Sequence, residues 1–219
     1  MESFLKQYCS REWREFIDFH KSVIEVEADT CIFREGDETK GLYIINKGKV
    51  KVVVNAMDKS ERLIRLAADG DILGHRGFGG NWTYPISART FEKTTLTFIP
   101  IEIFKTVAKS NIEFTYNLMM FFAEELRRSE EKITMVPVKN RIAQAILLNY
   151  SVFGPDKDDE AKISLTLSRK DYASKVGTTY ETVVRVLSDL NKSGLIQTVG
   201  KSIRILDFDN LKILADQRG

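Results

Sequence analysis

The chain has 219 residues, 43% of them hydrophobic and 29% charged, with a formal net charge of +2. That balance suits an ordinary globular protein with one large or two modest cores, and it excludes a disordered chain. With two cysteines lacking ligand or disulfide spacing (Cys9 and Cys31), no leader-like N-terminus and no apolar run near the roughly 20 residues a bilayer needs, a cytoplasmic protein is expected.

Residues 1–20 form an amphipathic opening, with Phe4, Leu5, Tyr8, Trp13, Phe16 and Ile17 recurring at helical spacing. From Ser22 to Ile99 the pattern changes to short β-rich runs: Val23–Val26, Leu42–Ile45, Val50–Val54, Leu63–Leu66 and Thr95–Ile99. Gly36-Asp37, Gly41, Gly48 and Asp69-Gly70-Asp71 supply corners. Many short strands at this spacing predict a sandwich or a jelly-roll barrel.

Between Asn111 and Val136 there is no glycine or proline. Ile112, Thr115, Met119, Phe122, Leu126, Ser129, Ile133 and Val136 alternate by three and four residues, the seam of a two-stranded coiled coil. Charged residues such as Glu124-Glu125 and Arg127-Arg128 flank that stripe, which predicts pairing with a second copy through Met119, Phe122, Leu126, Ser129 and Ile133. Pro137 ends the helix and marks a hinge. Domains are expected at 1–109, 110–137 and 138–219.

Arg141–Tyr150 is predicted as a helix, followed by an acidic loop from Gly154 to Glu160. Ser168 is placed as an N-cap with Asp171 three residues on, opening a short helix over Arg169–Val176. Gly177 stops it, and Thr178 or Thr179 caps a longer helix over Tyr180–Lys192. A short helix, a glycine turn and a longer helix spell a helix-turn-helix, whose second helix enters the major groove. On that helix Val183, Val186, Leu187 and Leu190 face inward, while Tyr180, Glu181 and Arg185 are left to meet bases. Leu195–Val199 and Ser202–Leu206 alternate around Gly200-Lys201 as a β-hairpin wing. Ser168, Thr179, Thr182, Lys201 and Arg204 are the expected phosphate contacts. From Thr166 to Ile205 seven Lys/Arg face three acids, a local surplus of four positive charges.

These residues carry a family resemblance. Gly36-Asp37 with Gly41-Leu42-Tyr43-Ile44-Ile45 and Gly48, Asp69-Gly70-Asp71-Ile72-Leu73-Gly74, Arg141-Ile142-Ala143-Gln144 and Glu181-Thr182-Val183-Val184-Arg185 together resemble the Crp/Fnr superfamily of bacterial transcription regulators. The resemblance runs nearly end to end. It implies an α+β chain with an N-terminal double-stranded β-helix (jelly-roll) barrel of the cyclic-nucleotide-binding type, a long dimerisation helix and a C-terminal winged helix-turn-helix. It further implies a homodimer on a two-fold-symmetric operator, with Glu181 and Arg185 reading a TGA-like half-site core. Tyr180 departs from the arginine of the catabolite-activator subgroup.

The effector site departs further. Cyclic-AMP-binding members carry a glutamate early in the phosphate-binding cassette and an Arg-Ser pair late in it. Here His75 and Ile86 (or Pro85) stand at the glutamate and arginine positions, and only Ser87 matches. Leu126 and Arg127 replace the hydroxyls offered to adenine. Without the bidentate phosphate clamp, cyclic AMP in its usual mode is not expected, although Arg76 offers a cation nearby. Gly74, His75, Arg76, Ser87, Leu126 and Arg127 remain the expected pocket for an unidentified small-molecule effector. No cofactor is indicated: an iron–sulfur cluster needs about four thiolates, and a lone His75 or His20 does not make a haem site. Expected partners are double-stranded DNA, a second copy and, through Asp156–Glu160, RNA polymerase, with no membrane.

Two other classes compete with this reading. A metal-dependent cupin-like enzyme needs a clustered His/His/Glu set, and His20 and His75 share no motif. A small-molecule sensor without DNA binding has no use for exposed Glu181 and Arg185 on a capped helix.

Overall fold

The computed structural model describes residues 9–55, 61–130 and 136–217, with the side chains of 128–130 also outside the description. Two compact units form, one from Met1–Lys59 and Ala67–Lys132, the other from Ser60–Leu66 and Ile133–Gly219.

The first unit opens with helix α1 (Arg11–His20), which buries Ile17 and half-buries Trp13 and Phe16. Phe4, Leu5 and Tyr8 lie outside the described residues. Eight strands follow along the chain: β1 (Ser22–Val26), β2 (Cys31–Phe33), β3 (Gly41–Lys47), β4 (Val50–Asn55), β5 (Glu61–Ala67, which except for Ala67 falls in the range of the second unit), β6 (Ile72–Leu73), β7 (Ser87–Thr90) and β8 (Thr94–Pro100). They form two antiparallel sheets, ordered β1-β8-β3-β6 and β2-β7-β4-β5. The expected jelly-roll barrel is therefore corrected to two open sheets. Hydrogen bonding stops at β1 and β6 in one and at β2 and β5 in the other, so neither sheet closes on itself.

Alternation along the strands gives each buried face its own core. Inward residues Phe33, Tyr43, Ile45, Val50, Val52, Leu73, Tyr84 and Leu96 pack between the sheets. Leu42, Ile44 and Ile99 point the other way and meet helices α2 (Ile101–Ser110) and α3 (Ile112–Glu130) through Phe104, Val107 and Phe114. Gly41 sits where β3 crosses β8: a Cβ there would lie 2.1 Å from the Ile99 carbonyl oxygen, so only glycine permits that approach. Helix α2 was not foreseen in the sequence, although Pro100 at its N-cap marks its start.

Helix α3 has two apolar faces. Phe114 is fully buried and Leu118 and Phe121 partly so, whereas Ile112, Tyr116, Met119, Met120 and Leu126 are exposed, Leu126 to 60%. Phe122 is half-buried. Of the remaining expected seam, the Ser129 side chain and Ile133 lie outside the described residues.

The second unit is built on α4 (Val138–Phe153), which starts at Pro137 and buries Ile142, Ala143, Ala145, Ile146 and Asn149. Strands β9 (Pro155–Asp156) and β10 (Asp159–Ile163) follow, then α5 (Arg169–Val176), α6 (Tyr180–Lys192), β11 (Ile196–Val199), β12 (Ser202–Ile205) and α7 (Phe208–Asp216). The predicted acidic loop is thus a hairpin. Lys162 Nζ lies 2.9 Å from Asp156 Oδ2, and β10 pairs with β12 to complete a sheet ordered β11-β12-β10-β9. Helix α7, also unforeseen, is capped by Asp207 and docks on α4, where the Asn140 and Gln144 amides donate to the Gln217 and Ala215 carbonyls.

Candidate nucleic-acid interface

Local rules position the two helices of the turn. Ser168 Oγ accepts from the Asp171 amide at 3.1 Å and donates to the Asp171 carboxylate at 2.6 Å, capping the start of α5. Gly177 ends α5 at φ 68°, ψ 54°, the left-handed region that costs a side chain about 1–2 kcal/mol. Its N–H returns to the Ala173 carbonyl. Thr179, rather than Thr178, then caps α6, accepting from the Thr182 amide at 3.2 Å.

Below this frame sits a buried polar knot. Asn149 of α4, fully buried, accepts from the Leu167 amide (3.0 Å) and the Tyr172 hydroxyl (2.9 Å) and donates to the Leu165 carbonyl (2.9 Å). Burial pushes the Tyr172 hydroxyl far above its ordinary pKa, so it stays a donor. Arg141 of α4 donates to the Val176 carbonyl at the end of α5.

Helix α6 divides as its sequence predicts. Val183, Val186, Leu187 and Leu190 are buried, and Tyr180, Glu181 and Arg185 are exposed, Tyr180 to 49%. Glu181 and Arg185, one turn apart, make no ion pair with each other and no side-chain hydrogen bond among the described residues. Thr182 is half-buried at the edge of this face.

The wing is a two-residue hairpin: Val199 pairs with Ser202 around Gly200-Lys201. Lys201 projects from its tip into solvent, while Arg204 is half-exposed and paired with Asp159 at 3.2 Å. Sequence reasoning counted Arg169 only as charge. Its guanidinium donates to the carbonyls of Lys201 (2.8 Å) and Gly200 (3.2 Å), fastening the wing tip to the start of α5.

The cassette residues separate. Gly74 takes φ 85° and His75 is 4% exposed. Arg76 pairs with Glu125 of α3 at 3.0 Å. Ser87 Oγ accepts from the Glu35 amide. Leu126 and Arg127 lie on the exposed side of α3, where Arg127 pairs with Glu124. His75 and Arg76 therefore gather with Glu125. No group of three or more His, Cys, Asp or Glu able to hold a metal occurs among the described residues.

A capped helix with one exposed polar face, a short helix behind it and a wing beside it define a winged helix-turn-helix protein. Residues 23–111 match the cyclic nucleotide-binding domain family, and residues 140–214 match the Crp-like helix-turn-helix domain. The chain is 28% identical over 187 residues to Electron transport regulator A of Shewanella oneidensis, covering 84% of this chain and 74% of that protein. It is 25% identical over 193 residues to the Fumarate and nitrate reduction regulatory protein of Escherichia coli (strain K12), covering 87% and 77%. The structure of FixK2 from Bradyrhizobium japonicum superposes with a TM-score of 0.78 at 20% identity, over 91% of this chain and 99% of that one, and so shares the fold. The chain belongs to the Crp/Fnr superfamily of DNA-binding transcription regulators. With that family the cupin-like enzyme is set aside, since the matched C-terminal domain is a helix-turn-helix and the matched relatives are named as regulators. No described helix is long and apolar enough to cross a membrane.

Proposed function

We propose that the chain works as a homodimer that reads a two-fold-symmetric duplex operator through α6, in the cytoplasm where chromosomal DNA lies. Residues 138–219 bind DNA, residues 110–137 supply the dimerisation helix and hinge, and residues 1–109 sense an effector other than cyclic AMP in its usual mode. Tyr180, Glu181 and Arg185 meet base edges, with Arg185 donating to guanine O6 and N7 and Glu181 accepting from cytosine N4. Ser168, Thr179, Thr182 and Lys201 hold the phosphates, and Arg204 joins them by exchanging Asp159 for a phosphate. The acidic segment Asp156–Glu160, with Asp158 and Glu160 exposed, is offered to RNA polymerase. The names of the relatives point to genes of electron transport or of fumarate and nitrate reduction as the targets.

One observation carries this reading. Glu181 and Arg185 stand exposed, without a partner among the described residues, on a helix whose Val183, Val186, Leu187 and Leu190 are buried on the opposite face. Charged groups held ready in this way at a helix N-terminus match what major-groove recognition requires.

Selection of bound duplexes from a random pool tests it. A palindrome with a TGA-like half-site is expected. Arg185→Ala should lose about 1–3 kcal/mol on the selected site and relax the preference at one position. Equal losses on selected and random DNA would remove Arg185 from base reading.

A further inference from the structure

The outer face of the β1-β8-β3-β6 sheet holds a cavity under α2 and α3. It comprises about 320 Å³ of atom-free space, open solvent included. Its walls include Leu42 and Ile44 of β3, Phe104 of α2, and Phe114, Leu118 and Phe121 of α3. His75 is the one polar side chain among the lining residues. It is 4% exposed, and neither ring nitrogen has a hydrogen-bond partner among the described residues. Buried polar atoms are almost always satisfied, so such a vacancy within an apolar wall calls for a partner.

We infer that this cavity, and not the space between the sheets, receives the controlling small molecule: a small neutral ring bearing one hydrogen-bond donor, held against His75 by the surrounding phenylalanines. This deepens the regulator reading and rests on it only for the consequence of binding. Geometry sets the ligand's polarity. Glu125 Oε2 lies 3.8 Å from His75 Nε2, and we assign the neutral ring the tautomer that carries its proton on that nitrogen. Nδ1 is then the unsatisfied acceptor, and the ligand must donate. A charged ligand would lose its hydration with no counter-charge among the other lining residues, all of them apolar.

Size sets the response. The free centre of the cavity is no larger than a water molecule, so a ring enters only by displacing side chains. Leu118 and Phe121 form the α3 wall, and Met119 and Leu126 lie on the opposite, exposed face of the same helix. Binding therefore bears on the dimerisation helix directly. A ligand shifts its equilibrium only through such a difference in fit between arrangements.

The test uses indole as probe and indene as its near-isostere without a donor. The chain has two histidines, so side-chain 15N spectra of the full-length protein resolve His75 from His20. Indole should shift the His75 resonances, leave those of His20 in place, and bind at least about ten-fold more tightly than indene by calorimetry. Leu118→Trp should abolish the shift, and His75→Leu should bring the two affinities together. Absence of any His75 response up to the solubility limit of indole, or equal affinities for indole and indene in the unmodified protein, would overturn the inference even if a variant failed to fold. Both readouts are taken without DNA. A negative result leaves the DNA-binding assignment intact, and a failed operator selection leaves this one intact.

Discussion

Asn149 makes three hydrogen bonds in full burial. Asn149→Leu would leave the Leu167 amide and the Leu165 carbonyl without their side-chain partner, at about 1–3 kcal/mol each. Urea unfolding should accordingly show a loss of about 3 kcal/mol or more, against about 1 kcal/mol for Tyr172→Phe. Burial also pushes the Cys9 thiol up to about 11 from its ordinary 9.0. The folded state thus favours the neutral thiol, and since only the thiolate reacts, iodoacetamide should label Cys9 slowly in native protein at pH 8 and quickly in urea. Neither property was legible in the sequence. An asparagine inside a helical run gives no sign of the backbone groups, distant in the chain, that the fold brings to it. The exposed residues of α6 were legible, because helical pitch alone separates Glu181 and Arg185 from Val183 and Leu187.

Elements whose causes are local were found in the sequence. Helices α5 and α6 begin and end at the expected residues because Ser168, Gly177 and Thr179 act within four positions of themselves. The wing followed from strand alternation around Gly200-Lys201, and it carries its own prediction. Lys201→Ala should weaken selected and random duplexes alike and reduce the salt slope by about one unit per subunit. An effect confined to the selected site would move Lys201 from backbone to base. Strands β9 and β10 were misjudged as loop for a reason outside their own residues: β10 is held by pairing with β12, far along the chain. The acidic residues that suggested solvent are partly neutralised there by Lys162 and Arg204.

For the molecule as a whole, α3 presents two demands. One face is covered by the first unit's own core, and the other leaves Ile112, Tyr116, Met119, Met120 and Leu126 exposed along one helix. Contiguous apolar surface of this kind marks an interface. The double change Met119→Glu and Leu126→Glu should convert the dimer to monomer in sedimentation and weaken operator binding, while leaving the helical content of each subunit unchanged. The heptad beat runs through Ile112, Met119 and Leu126 of this face but not through Tyr116 or Met120, and it gave no sign of the second face, since Phe114, Leu118 and Phe121 follow the same pitch and the pattern cannot say which stripe meets its own domain. The β architecture shows a similar boundary. The five longer runs are written in the sequence, the short β2, β6 and β7 are not, and closure depends on which strands find partners at the sheet margins, where β1, β2, β5 and β6 end their sheets instead.

The tie from Arg169 to the carbonyls of Gly200 and Lys201 reaches beyond the hairpin it fastens. It makes the wing and the first helix of the turn a single preassembled template, with the second helix set on it by the glycine bend. A duplex approaching such a surface has little chain left to freeze, so the entropic toll of recognition falls on DNA, water and counterions rather than on the protein.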